Sequence, residues 1–244
     1  SGSEVARIEQ LRDLAIDQAI TSEKSVTKYL EVKQRHLRRA EASLGQALDR
    51  QSIDAGESYG SYGVAEGLTG LFSSFQSLSA NPTSTAERQT VVFNAQKLTD
   101  KMNIVDRRLS DLQSSINDEE DYEIDNVNAK LESVAIHAAS VGNTEIVEGA
   151  ANEIRDAMQA ALEDLSELVN ITTTTNEDGK LSVFVDGHEM ITDNAMTGSV
   201  KLHTDSDGMN FIADNRTGEV LALQSGSVKA LIDVRDGVIQ DLRD

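Results

Sequence analysis

The 244-residue chain has 39% hydrophobic and 4% aromatic residues, with no Trp and no Cys. Disulfides and thiol chemistry are therefore excluded, and so few rings disfavour thick layered cores and aromatic-lined pockets. The formal charge of −20 is uneven, +1 over residues 1–50 and −21 over residues 51–244, so neither nucleic acid nor an anionic membrane is a fitting partner.

No apolar run approaches the ~20 residues needed to span a bilayer, and no signal peptide is visible. The opening Ser1-Gly2-Ser3 reads as a cloning scar, and the chain as an excised piece of a longer protein. Residues 4–50 then read as one long helix capped by Ser3. Val5, Ile8, Leu11 and Ala15 begin its apolar face; Leu30, Lys33, Leu37, Ala40, Leu44 and Ala47 continue it at 3/4 spacing. Its polar middle, residues 21–25, predicts loose packing. The basic run 33–39 has acids on both sides and no interleaved aromatics, so it reads as a solvated helix face.

Residues 51–67 are rich in Gly, Ser and Tyr and read as a loop; no glycine pattern of a phosphate cradle is present. A short helix over 68–80 carries Leu68, Leu71, Phe72, Phe75 and Leu78 on one face. The only proline, Pro82, forces Asn81 out of the α region and makes a corner. Ser84 and Glu87 fit a reciprocal capping box. A second long helix follows over 84–141. Its seam of Val91, Ala95, Leu98, Met102, Val105, Leu109, Leu112 and Ile116 is spaced 4, 3, 4, 3, 4, 3, 4, the pattern by which one helix buries a narrow stripe against another. An acidic island at 117–125 interrupts it, with Ile116 and Ile124 eight residues apart. Either the stripe swings or a local bulge absorbs the slip. The seam resumes at Val127, Leu131, Val134, Ala138 and Val141.

Gly142-Asn143 ends that helix, and Thr144 caps another over 145–169 with Ile146, Ala150, Ile154, Met158, Ala161, Leu162, Leu165, Leu168 and Val169 apolar. The short link predicts an antiparallel neighbour. From Asn170 the character changes. Residues 171–175 and 180–187 read as a hairpin, and 188–192, 199–204, 209–214 and 219–223 as further strands, with turns at Asp207-Gly208 and Thr217-Gly218. Residues 225–244 read as a helix with Val228, Leu231, Ile232, Ile239 and Leu242 apolar. The fold class expected is mainly α with a small β domain: an elongated antiparallel helical bundle or coiled coil over 4–169, a small antiparallel β domain over 170–224, and a last helix over 225–244.

Catalytic, cofactor-binding and metal residues are all expected to be none. His36, His137, His188 and His203 form no metal-ligand spacing. Carboxylates are too abundant for any pair to stand out as acid and base. The acidic island could be a cation site but reads as a solvated face. Asp205, Asp207 and Asp214 suggest calcium, yet Gly208 sits at the fourth position of the loop rather than the sixth, so a hairpin turn is the better reading. No nucleophile elbow occurs.

One pattern points further. Leu71-Phe72, Phe75, Leu78-Ser79, Asn81-Pro82, Ala86 and Arg88 resemble the flagellar hook-associated family that forms the hook–filament junction. Stretches 5–20, 68–92, 162–191 and 225–239 resemble it in the family's order. Asp156-Ala157-Met158-Gln159 departs from the family's Asp-Gln-Arg-Asp, which puts a shared salt bridge there in doubt, and the family's terminal segments and returning C-terminal helix are missing. The second junction protein fits these stretches less well. The resemblance implies a non-enzymatic, cofactor-free structural subunit, exported by the flagellar type III system to the extracellular flagellum. It implies as partners the hook protein, the second junction protein and further copies in an axial ring, with an export chaperone for the full chain. The alternatives are a coiled-coil assembly, surface or tail-type protein without a flagellar role, and an acid-residue hydrolase.

Overall fold

The computed structural model describes residues 14–44, 63–144, 151–206 and 208–243. The expected helical stretches 4–13, 45–50 and 145–150, most of the loop 51–67, and Asp207 lie outside them. In chain order the elements are α1 (Leu14–Ser43), α2 (Val64–Ala80), α3 (Thr85–Thr144), α4 (Ala151–Leu168), β1 (Ile171–Thr175), β2 (Leu181–Val185), β3 (His188–Thr192), β4 (Ala195–Met196), β5 (Val200–Thr204), β6 (Asn210–Asp214), β7 (Val220–Leu221), α5 (Ser227–Ile232), a π-helical segment (Asp233–Ile239) and α6 (Gln240–Arg243). The chain is mainly helical, with two small antiparallel sheets ordered β1-β2-β3-β4 and β5-β6-β7. By contacts it divides into two units. One takes the described residues through Glu31 with Asp121–Ala230; the other takes Val32–Glu120 with Leu231 onward.

In the first unit, Ala161, Leu162, Leu165, Leu168 and Val169 are buried along and just beyond α4, and Val127, Leu131, Val134 and Ala138 along α3. These are the residues the spacing singles out, because positions three and four apart share a helix face. In β2, Leu181, Val183 and Val185 are buried in strict alternation, the period of a half-buried strand. The β1–β2 hairpin closes on Asn176, whose Oδ1 accepts the amides of Asp178 and Lys180, both at 3.0 Å. β2 turns into β3 through Asp186 and Gly187, at φ 48° and 78°, the paired left-handed conformations that Asp-Gly supplies in a two-residue turn. The ladder shifts register between Val183 and Phe184, which leaves Met190 without an opposite partner; that side chain is fully buried. The two-residue β4 is too short to show a period in the sequence.

Polar contacts join the sheets to the helices within this unit. Asn128 on α3 caps the start of β5 from both sides, its Nδ2 donating to Val200 O and its Oδ1 accepting from Val200 N, each at 2.9 Å. Ser25 on α1 meets Ser225, Oγ to Oγ, at 2.7 Å, and Gly226 N donates to Ser25 O. Gly226 has φ +94°, and a Cβ there would stand 2.3 Å from Leu168 O. Only glycine fits both demands. The expected loose packing at 21–25 is therefore corrected: Thr21 is 8% and Ser25 1% exposed. Thr21 satisfies its hydroxyl on the carbonyls of Asp17 and Gln18.

In the second unit, α2 and α3 pack antiparallel. Gly63, Gly67 and Gly70 on one face Lys101, Leu98 and Asn94 on the other: Lys101 Nζ reaches Gly63 O, Leu98 lies against Gly67, and Asn94 Nδ2 donates to Gly70 O. Helix α2 starts at Val64, four residues before the expected Leu68. Its expected apolar face is only partly used. Leu71 and Leu78 are half-buried, while Leu68, Phe72 and Phe75 are exposed and Ser74 is buried. The corner forms as expected: Asn81 leaves the helix at φ −133°, ψ 70°, and Arg88 Nη2 donates back to Pro82 O at 2.8 Å. The cap is half the expected box. Ser84 Oγ accepts Glu87 N at 3.3 Å, but Ser84 N already donates to Asn81 O at 3.0 Å, so the return bond from Glu87 is not needed.

Helix α3 runs unbroken for 60 residues, with no Gly or Pro before residue 142. Along the seam Leu98, Leu109, Leu112 and Ile116 are buried, Val91, Ala95 and Val105 are half-buried, and Met102 is 55% exposed. The slip is resolved without a bulge. Ile116, Glu120 and Ile124 step by four and are all buried. Each step of four advances the stripe by about 40°, and the change falls at the boundary between the units, after Glu120. Helix α1 needs a larger correction. Its buried positions are Thr21, Ser25, Val32, His36 and Ala40, whereas Leu30 is 57% exposed. The expected face followed the leucines; the actual one runs through polar side chains at helical spacing. The last helix is also not uniform. Its π-helical turn brings Val234 and Ile239, five residues apart, into the core together, and leaves Leu242 exposed.

Candidate functional site

The most unusual chemistry among the described residues is a polar layer buried in the second unit. It is assembled by three elements. From α1 come His36, fully buried, and Arg35; from α3 come Asn117, Glu119 and the fully buried Glu120; from the π-helical segment comes Arg235, 7% exposed. His36 Nε2 lies 3.2 Å from Glu119 Oε2, and Arg35 donates to the other oxygen of the same carboxylate. Arg235 donates to Asn117 Oδ1 and to Asp236. Lys33 and Asp233 add a longer ion pair at 3.9 Å.

The electrostatics follow from the burial. Removing His36 from water penalises its charged form and lowers its pKa. The Glu119 carboxylate opposes that shift, while the guanidiniums of Arg35 and Arg39 add to it, and the net direction is down from 6.5. The imidazole is therefore neutral at pH 7, donating from Nε2 to Glu119. Its Nδ1 is buried with no hydrogen-bond partner among the described residues. A half-satisfied buried polar group costs stability but narrows the packings a helix can adopt. The basic run 33–39 is thus not simply a solvated face: His36 is inside it. Likewise the acidic island is solvated at Asp118, Asp121 and Asp125 but not at Glu120. The signal that finds both is the helical period itself, applied to polar residues as well as apolar ones.

A second buried carboxylate, Asp214, ends β6 in the first unit. Burial raises its pKa, but hydrogen bonds from the amides of Arg216 and Thr217, with the charges of Arg216 and His188, outweigh that and hold it below the ordinary range. His188 Nδ1 stands 3.6 Å from Asp214 Oδ2. The carboxylate shapes the turn after β6. Asp205 does the same before it, accepting Met209 N at 2.9 Å. These two carboxylates thus act as turn builders, in line with the hairpin reading. His203 is exposed and His137 half-buried on different elements. Among the described residues no group of three or more His, Asp or Glu is arranged to hold a metal. The polar layer ties α1 to α3 through His36 and Glu119, and the π-helical segment to α3 through Arg235 and Asn117.

Two apolar surfaces complete the inventory. In the first unit a groove of about 610 Å³ runs along α1, floored by Ile16, Ala19, Ile20 and Thr27 and rimmed by charges such as Lys24 and Glu167. Lys24 pairs with Glu163 at 2.9 Å, which raises the lysine pKa and lowers that of the carboxyl. In the second unit, exposed apolar side chains gather along the α2–α3 hairpin. No helix among the described residues is long and apolar enough to cross a membrane.

Three comparisons bear on this arrangement. Residues 52–244 match the family model described as the helical domain of flagellar hook-associated protein FlgK. A solved structure, the flagellar hook junction protein FlgK from Burkholderia pseudomallei, superposes with a TM-score of 0.62 at 18% sequence identity. The superposition covers 91% of this chain and 39% of that one, so the chain spans well under half the length of the protein it resembles. A search of curated protein sequences finds no match.

Proposed function

This chain belongs to the FlgK family of flagellar hook-associated proteins, and we propose that it is part of a structural subunit of the bacterial flagellum, at the junction between hook and filament. Its role in this reading is mechanical rather than catalytic. The observation that carries it is the family match, which extends over residues 52–244 and so over most of the chain. The long helices and their buried polar layer agree with it, because a subunit between two lattices must hold its shape under load. We take residues 4–169 as the helical body, 170–224 as the β part and 225–244 as the last helix. The partners proposed are the hook protein, the second junction protein and neighbouring copies in an axial ring, with a chaperone for the full protein before export. The place of action is outside the cell, reached through the flagellar type III apparatus.

Deleting the gene in the source organism tests this. Electron microscopy should then find hooks that carry no filament, restored by the full protein supplied in trans. Filaments of ordinary number and length in the deletion strain would overturn the proposal.

A further inference from the structure

Side chains blunt the edges of the two sheets in the first unit. Gln18 Nε2 donates to Thr173 O on the outer edge of β1 at 3.1 Å. Asp186 Oδ2 accepts Ala222 N, just past β7, at 2.6 Å. Strands β4 and β7 are two residues each. Strand β5 is longer, and its neighbour in the sheet is β6. Ser199 O accepts Asn215 N at 2.8 Å, and Asp205 N donates to Met209 O at 2.9 Å. Residues 199, 201, 203 and 205 therefore bond to β6, while 200, 202 and 204 turn their backbone groups outward, as antiparallel residues alternate. At Val200 the Asn128 amide takes both groups. Beyond it, nothing among the described residues bonds to the outward N–H and C=O of Leu202 and Thr204. Lys201, His203 and Thr204 are exposed, and Leu202 is half-buried.

We propose that this edge is a self-pairing site, at which β5 of a second copy adds to the sheet antiparallel and in one register. Two such strands use all the outward groups of Leu202 and Thr204 when Leu202 of each copy faces Thr204 of the other. That arrangement makes four backbone hydrogen bonds about a twofold axis at His203. Neighbouring registers fail. Centring the pair on Leu202 sets Thr204 against Val200, whose groups Asn128 already holds. Centring it on Thr204 sets Leu202 against Ser206, where the chain has left the strand. The side chains agree with the register. Residues 201, 203 and 205 share one face of the sheet. Lys201 of each copy therefore lies opposite Asp205 of the other, and an opposite-charge cross-strand pair is stabilising. Asp205 Oδ1 also accepts Met209 N at 2.9 Å, which fixes the carboxylate in place, and a carboxylate can accept from more than one donor. A lysine on an edge strand ordinarily discourages pairing. Here it does so against every strand except one that sets an acid opposite it, and β5 brings its own. That selects a second copy over an unrelated strand. So short an edge buries far less than the roughly 1,200 Å² of a stable specific interface, so the pairing is weak. The inference stands on β5 and Asn128 and does not rest on the flagellar reading.

The chain has no cysteine, so single cysteines can read the register. At the axis the two Cα atoms of residue 203 would stand about 4.5 Å apart, the spacing of a non-hydrogen-bonded pair and within the span of a disulfide. The two Cα atoms of residue 201 would be about 14 Å apart along the strands, beyond it. Mild oxidation of His203→Cys should therefore give disulfide-linked dimers at least about tenfold faster than Lys201→Cys, on the same exposed face. Two substitutions added to His203→Cys should each slow the linking at least about tenfold. Thr204→Pro removes an outward N–H that β6 does not use, and Lys201→Glu sets acid against acid. Lys180→Glu, the same charge change at the β1–β2 turn, should leave the rate within about twofold. Thermal melts check that each variant keeps the parent's fold, and Lys201→Glu, at the surface, carries the test alone where Thr204→Pro does not fold. A His203→Cys chain that stays unlinked, or links no faster than Lys201→Cys, would overturn the proposal. So would linking that Lys201→Glu leaves unchanged, or that Lys180→Glu slows as much.

Discussion

His36 shows how one side chain ties sequence period to stability. It occupies a core position because 32, 36 and 40 share a face of α1, and it remains neutral because burial lowers its pKa. The folded value lies below the unfolded one, so the unfolded chain takes up the proton first as pH falls. The stability associated with the neutral ring is complete well above pH 6.5 and declines as pH drops below it. His36→Gln has no proton to gain in this range. Thermal melts at pH 8 and pH 5 should therefore show a smaller acid-induced drop in midpoint for His36→Gln than for the parent. Equal drops would mean that His36 is not the group responsible. No count of hydrophobic residues reveals this position, since the residue is polar and lies in a run of basic ones. Glu120 was hidden for the same reason, inside an acidic island.

Among elements, the capped corner and the α3 seam make quantitative claims. The single bond from Glu87 N to Ser84 Oγ is the side-chain cap of α3, so Ser84→Ala should lower stability by ~0.5–2 kcal/mol. An unchanged urea midpoint would show that the helix start is held by the corner alone. Along the seam, burial varies where the spacing is perfect. Leu112→Ala, at a position 9% exposed, should cost ~2–5 kcal/mol. Met102→Ala, at 55% exposed, should change stability by less than ~0.5 kcal/mol. Similar costs at the two sites in denaturant titrations would refute the burial pattern. The strands, the hairpin turns, the Pro82 corner and most of α3 and α4 were legible because local pattern and tertiary packing agree there. The face of α1 was not, since Leu30 points out while Thr21 and Ser25 point in. Nor was the π-helical turn, whose spacing of five between Val234 and Ile239 belongs to no ordinary template.

For the whole molecule, what survives at 18% identity to the Burkholderia pseudomallei structure is the fold. The residues that carried the family resemblance now have physical roles. Asn81 and Pro82 end α2, Arg88 locks the corner onto Pro82 O, and Phe72 and Phe75 are exposed. The proposed place at the junction is tested most directly by locating the protein on the flagellum. This chain is free of cysteine, so Glu177→Cys, in the exposed β1–β2 turn, can be introduced into the full protein and labelled with a thiol-reactive gold or fluorophore probe on intact cells, with the parent protein labelled in parallel as the control. A single compact signal at the boundary between each hook and its filament is expected. Label spread along the filament, gathered at its tip, or absent from flagella while present on the cell surface would contradict it.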